Sequence, residues 1–204
     1  MAIGFDFNHS VSGILPALAA RGCEFVGRYY NHNNPYKNLT PAEAKAISAA
    51  GMSIIAVWEN GFPTSAEYFD YQKGVFDGTS AYHYALRKIS QPSGTAIYFT
   101  VDYDAREADL HGPVQRYFSG VHDAFHTISA GAPAYAVGVY GSGLVCSTLR
   151  STSHATYTWL SQSRGWTGTM ECREWNIKQG PGTVIGGLHC DSNETTGNGG
   201  GFKV

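Results

Sequence analysis

The chain has 204 residues, 43% of them hydrophobic, which is enough for one sizeable core, while 15% charged residues and a net charge of -2 leave no basic field to attract nucleic acid or anionic lipid. No apolar run approaches the roughly 20 residues that cross a bilayer, and MAIGFDFNHS lacks the basic and apolar regions of a signal peptide. Membrane insertion is therefore not expected, and export would use another route or a removed leader.

In chain order, short apolar runs alternate with helical patterns. Residues 2–8 (AIGFDFN) read as a strand, followed by a helix around residues 11–21. Residues 24–30 (EFVGRYY) form a second strand candidate. The next helix opens at TPAE, with Thr40 as N-cap, Pro41 at the first helical position, Glu43 as the capping-box acid and Gly51 as the stop. Residues 53–59 (SIIAVWE) are a third strand, and residues 64–89 a longer helical stretch in which Gly74 and Gly78 suggest a break. Residues 95–104 (TAIYFTVDYD) are a fourth strand. After it, Leu110, Val114, Phe118, Val121, Phe125 and Ile128 recur at helical spacing on one face. Residues 134–141 (AYAVGVYG) are a fifth strand, with a short helix capped by Ser142; VYGSG fails the GxSxG nucleophile pattern because Tyr140 takes the first glycine position. Three further strand candidates, residues 156–162, 171–179 and 186–194, follow with little helix between them. The barrel domain is expected over residues 1–194 and a flexible Gly-rich tail over residues 195–204.

Strands apolar on both faces alternating with helices argue for a parallel sheet covered by helices. Eight strand candidates favour an α/β chain folded as a single (β/α)8 TIM-like barrel with reduced or missing late helices. An open doubly wound sheet is the alternative, but neither GxGxxG nor a GxxxxGK[ST] phosphate loop is present. Cys23, Cys146, Cys172 and Cys190 are too dispersed for a disulfide scaffold or a short-spaced zinc motif; they are either buried thiols or include a Cys172–Cys190 pair between late strands.

In such a barrel the active site lies at the C-terminal ends of the strands. Asp6, Glu59, Asp102, Asp104 and Asp191 stand there. In IYFTVDYDA (residues 97–105) the period of two would aim Asp102 and Asp104 the same way. Clustered carboxylates acquire unequal pKa values, as glycoside hydrolysis requires of its acid and its base or nucleophile. A DxD pair also suits a divalent metal in a glycosyl transferase, but that chemistry wants a phosphate loop or basic clamp and neither is evident. Arg28, taken to face the barrel interior, would need an acid partner and would orient one of the aspartates.

GFDFN, FVGRYY, VWENG, IYFTVDYD, VGVYGSG, WLSQ and WNIKQG with a late CDSN together resemble the glycoside-hydrolase-like domain family related to the family 25 glycoside hydrolases, the N-acetylmuramidase lysozymes. The resemblance runs from Ile3 to about Asn193. It implies an acidic groove that accepts bacterial peptidoglycan or a related amino-sugar glycan; the expected function is hydrolysis of that glycan, and no cofactor or metal is expected. In the muramidase pattern Asp6 matches the first-strand Asp, Asp102 the first member of the Asp-x-Glu pair and Asp191 the last-strand Asp. Asp104 stands where the muramidases have the Glu proposed as general acid; Glu59 is expected to be the general acid/base, with Asp104 as its competitor, Asp6 and Asp102 as the stabilising or nucleophilic carboxylates and Asp191 as a positioning residue. Trp58, Tyr103, Tyr140, Trp159 and Trp175 are expected to stack on sugar rings, with Arg28, Tyr30 and Gln179 completing the lining. A monomer acting outside the cytoplasm is expected. The rival functions are a non-catalytic cell-wall glycan-binding module and a metal-dependent transferase using Asp102 and Asp104.

Overall fold

A computed structural model describes residues 1–204. Its eight strands close into a barrel in sequence order. They are β1 (Ala2–Phe7), β2 (Phe25–Tyr30), β3 (Ser53–Trp58), β4 (Thr95–Thr100), β5 (Tyr135–Gly141), β6 (Tyr157–Leu160), β7 (Ile177–Ile185) and β8 (Leu188–Thr195). β1 through β7 run parallel, whereas β8 is antiparallel to both β7 and β1. The last unit is thus a hairpin turned by Gly186 and Gly187, both at positive φ. Helices α1 (Leu15–Ala20), α2 (Pro41–Ala49), α3 (Tyr71–His83), α4 (Glu107–Asp109), α5 (Gln115–Ile128) and α6 (Gly143–Ser151) cover the sheet, and none separates β6, β7 and β8. The late helices are missing, as the sequence predicts.

The strands bury both faces. Phe25, Ile55, Val57, Ala96, Tyr98, Trp159 and Ile177 fill the barrel, while residues of the opposite parity, such as Val26, Ile54, Trp58, Ile97 and Phe99, pack outward. Gly74 and Gly78 do not break their helix. A Cβ on Gly74 would lie 1.9 Å from the Tyr117 carbonyl oxygen, and one on Gly120 would lie 2.2 Å from that of Tyr71. Bare backbone is what lets α3 and α5 cross so closely.

Thr40 caps α2 by accepting a hydrogen bond from Glu43 N at 3.2 Å. The Glu43 side chain, however, turns inward to Arg28 instead of closing a capping box. Ser142 caps α6, accepting from Val145 N. All four cysteines are free thiols, so Cys172 and Cys190 do not pair.

The Gly-rich tail, expected to be flexible, is docked under the barrel. Phe202 is buried and bridges Ile54, Tyr98 donates its hydroxyl to Gly199 O at 2.8 Å, and Lys203 Nζ donates to Gly51 O. Its glycines allow the chain to run against Ala96 and Ile55 at the N-terminal ends of β3 and β4, where a side chain would collide.

Candidate functional site

At the opposite end, where β1 to β6 finish, a cavity of about 200 Å³ opens between Asp6, Tyr29, Val57, Glu59, Thr100, Asp102, Tyr140, Trp159, Gln179 and Asp191. Four of the five acids read from the sequence meet there. A neighbouring depression of about 410 Å³ shares Asp6, Tyr29 and Asp191 and extends along the β7–β8 hairpin past Thr183 and His189.

Asp6 is 7% exposed at the floor. Its Oδ2 accepts from Asn193 Nδ2 at 2.8 Å and Gln179 Nε2 at 3.4 Å, and its Oδ1 from the Tyr29 hydroxyl at 3.5 Å. Burial, with the nearby Asp191 carboxylate, pushes the Asp6 carboxyl up to about 6 against the pull of these donors. Gly27 makes the arrangement possible. A Cβ there would stand 2.7 Å from Asp6 Cβ and 2.8 Å from the Trp159 ring.

Asp191 accepts from Gln162 Nε2 at 3.1 Å and from Gln179 Nε2 at 3.2 Å. The Gln179 amide oxygen accepts from the Tyr140 hydroxyl at 3.0 Å, so this one side chain joins β5, β7, β8 and β1. Trp159 forms the floor, its indole N–H donating to Asn193 Oδ1 at 2.9 Å and its ring edge-on to Tyr140 and Tyr98.

On the other wall, Glu59 pairs with Lys37, whose ammonium also lies 4.2 Å from the centre of the Tyr29 ring. Asp102 is tied through its backbone N–H to Pro63 O at 2.8 Å. Its carboxyl is raised above the ordinary range, first by burial and then by Glu59, with Lys37 opposing.

The other expected site residues lie elsewhere. Asp104 does not share the cavity: β4 ends at Thr100, so the alternation that would align it with Asp102 has already stopped. Its Oδ1 accepts from Thr167 N at 2.7 Å and its Oδ2 pairs with Arg106 at 2.8 Å, and these contacts, the Thr167 amide first, lower its carboxyl below the ordinary value. Arg28 faces the helices. It is fully buried and bidentate to Glu43 at 2.8 and 3.2 Å, and it also donates to Phe7 O and Lys37 O. Tyr30, of the same parity, packs on Tyr84 and donates to Gln91. Trp58 is buried on the outer face, Tyr103 packs against Phe69, and Trp175 precedes the N-terminal end of β7, away from the mouth.

The sequence reading missed Tyr29, Lys37, Thr100 and Asn193. For Tyr29 the signal was available, because Phe25, Gly27 and Tyr29 share the parity opposite to Arg28. Lys37 closes a single 3-10 turn, Pro35–Lys37, which is too short for any periodicity to encode. No group of three or more His, Cys, Asp or Glu side chains has metal-binding geometry, and Asp102 and Asp104 diverge, which removes the geometric basis for a DxD metal pair. No helix is long and apolar enough to cross a membrane.

The comparisons with known proteins agree with this architecture. YbfG of Bacillus subtilis (strain 168), described as uncharacterized, is 32% identical over 163 residues that span 75% of this chain and 22% of YbfG. The crystal structure of the Tat-secreted protein Rv2525c from Mycobacterium tuberculosis superposes with a TM-score of 0.81 at 16% identity, covering 98% of each chain. The bacterial lysozyme from Streptomyces coelicolor matches with a TM-score of 0.58 at 12% identity, covering 96% of this chain and 92% of its own. At such identities these two structures share the fold. The family model described as Rv2525c-like, glycoside hydrolase-like domain matches residues 16–200. The chain therefore belongs to the Rv2525c-like, glycoside hydrolase-like domain family.

Proposed function

We propose that the barrel mouth binds a peptidoglycan or related amino-sugar glycan strand and hydrolyses it by carboxylate acid/base chemistry, acting outside the cytoplasm. The observation that carries this reading is the convergence of Asp6, Glu59, Asp102 and Asp191 on one cavity, in an environment that raises Asp6 and Asp102 while Lys37 pairs with Glu59. Unequal carboxyls on one cleft are what cleavage of a glycosidic bond needs: one proton donor and one ionised partner.

In this scheme Asp102, half-buried and raised, protonates the leaving glycosidic oxygen. Glu59, compensated by Lys37, is the ionised partner that acts as base or stabilises positive charge on the sugar ring. Asp6 and Asp191, fixed by Gln179 and Asn193, position the sugar and shape the field, and Tyr29, Tyr140 and Trp159 provide the walls. The fold shared with a bacterial lysozyme and the resemblance to the muramidases support the choice of substrate.

Digestion of purified peptidoglycan by the wild type, Glu59→Gln and Asp102→Asn tests the proposal. Release of new reducing ends by the wild type, lost in both variants, is expected; equal release from all three sinks the assignment.

One observation favours a second reading, a glycan-binding module without hydrolysis. Asp104, at the position of the muramidase proton donor, is engaged by Thr167 and Arg106 outside the cavity. Retention on cell walls with no saccharide released would select that reading.

A further inference from the structure

Two large aromatic side chains lie almost bare on the loops that follow β2 and β3 beside the mouth. Tyr36 is 89% exposed in the loop after β2, and Phe62 is 84% exposed in the loop after β3. Each is one residue from a group tied to a mouth acid. Tyr36 precedes Lys37, which pairs with Glu59, and Phe62 precedes Pro63, whose carbonyl accepts from Asp102 N.

The two loops are latched together. Asn60 Oδ1 accepts from His32 N at 3.2 Å and Asn33 N at 3.1 Å, while the Asn31 side-chain amide donates to Glu59 O. The Tyr36 loop is further held by Arg28, which donates to Lys37 O at 3.3 Å, and by Asn38, which donates to Asn31 O at 2.8 Å. Single exposed apolar residues are ordinary on a protein surface. Two bare rings on hydrogen-bonded loops beside a polar cavity are each preorganised for contact with a ligand, since ordering of the loops is already paid by their own contacts.

The mouth also limits what can sit on these rings. With Asp6, Glu59, Asp102 and Asp191 at its centre and Lys37 engaged by Glu59, a phosphate-bearing ligand is repelled. An uncharged ring with an apolar C–H face and a hydroxyl-rich edge is not. We infer that Tyr36 and Phe62 form an outer subsite that stacks on pyranose rings of a strand emerging from the mouth, so that the protein prefers long glycans to short ones. This rests on the glycan reading of the mouth given above.

The test is calorimetric titration with a trimer and a hexamer of N-acetylglucosamine, using Asp102→Asn protein to prevent turnover. Into that background are placed the double substitution Tyr36→Ala with Phe62→Ala and the ring-keeping pair Tyr36→Phe with Phe62→Trp. Both positions are solvent-facing, so melting temperatures should match the parent. The ring-deleted protein should bind the hexamer about tenfold more weakly and the trimer as the parent does, and the ring-keeping pair should retain hexamer affinity. Equal hexamer affinity in parent and ring-deleted protein overturns the outer subsite alone. If neither the parent nor the wild type binds either oligomer, the glycan reading of the mouth falls with it.

Discussion

Asp6 and Asp191 stand directly opposite each other on the antiparallel strands β1 and β8, and the Gln179 amide donates to both carboxylates. Like charges at opposed cross-strand positions destabilise a sheet, and here one of them is also buried. The mouth is therefore held at a cost to the fold.

Asp6→Asn should expose that cost. An acid held at about 6 in the folded chain, above the ordinary carboxyl value of about 3.9 in the unfolded one, keeps more protons folded than unfolded between those limits. Its contribution to stability is present at low pH and is lost as pH rises towards about 6. The variant should be more stable than wild type by about 1–3 kcal/mol at about pH 7.5, with the difference shrinking towards about pH 4. Thermal denaturation at both pH values reads this, and a constant difference would refute it.

Asp102 and Asp104 should separate in function although one residue parts them. Asp102→Asn should lower the release of reducing ends about 100-fold or more, the scale of a lost general acid. Asp104→Ala should stay within about threefold of wild type while melting lower, because it frees the Thr167 amide and Arg106 and costs about 0.5–2 kcal/mol. Comparable catalytic loss in the two would return Asp104 to the site.

Lys37→Met removes the cation that opposes the raised Asp102 carboxyl and pairs with Glu59. The expected result is a basic limb of the pH–rate profile moved upward, since the Asp102 proton is then held more tightly. A profile that only drops in height would show that Lys37 acts on binding and not on protonation.

Gly27→Ala places a methyl against Asp6 Cβ and the Trp159 ring, both buried and hydrogen-bonded. We expect a loss of about 1–3 kcal/mol in chemical denaturation, the usual range for overpacking. Glycan binding should fall with it, because relief requires Asp6 or Trp159 to move. Wild-type stability would mean that the floor is softer than its contacts indicate.

Much of the barrel was legible because its signals are periodic or local. Strands with apolar residues on both faces, the Thr40 and Ser142 caps and the missing late helices all follow from short-range pattern. The acids Asp6, Glu59 and Asp102 were legible for the same reason, since they mark where apolar runs stop; Asp191, expected at the end of the last strand, instead reaches the mouth from the middle of the reversed β8, opposite Asp6. What sequence could not give was parity and partner. Adjacent residues cannot share a face of a strand, so choosing Arg28 and Tyr30 for the mouth excluded Tyr29, and Trp58 could not accompany Glu59. Arg28 found its acid in Glu43, 15 residues away, on a helix whose local motif assigned that glutamate to a cap. Asp104 failed for a different reason: a strand's alternation ends with its ladder, and β4 ends at Thr100.

The docked tail fixes the polarity with which this domain can be presented. Val204, 41% exposed, is anchored through its N–H to Ser48 Oγ at 3.0 Å beneath the barrel. A surface, resin or fused protein attached at that residue would leave from the pole opposite the acids, with the cleft facing outward towards an insoluble polymer. Immobilisation through Val204 is thus the geometry in which whole sacculi could be offered to the mouth without the support standing in the way.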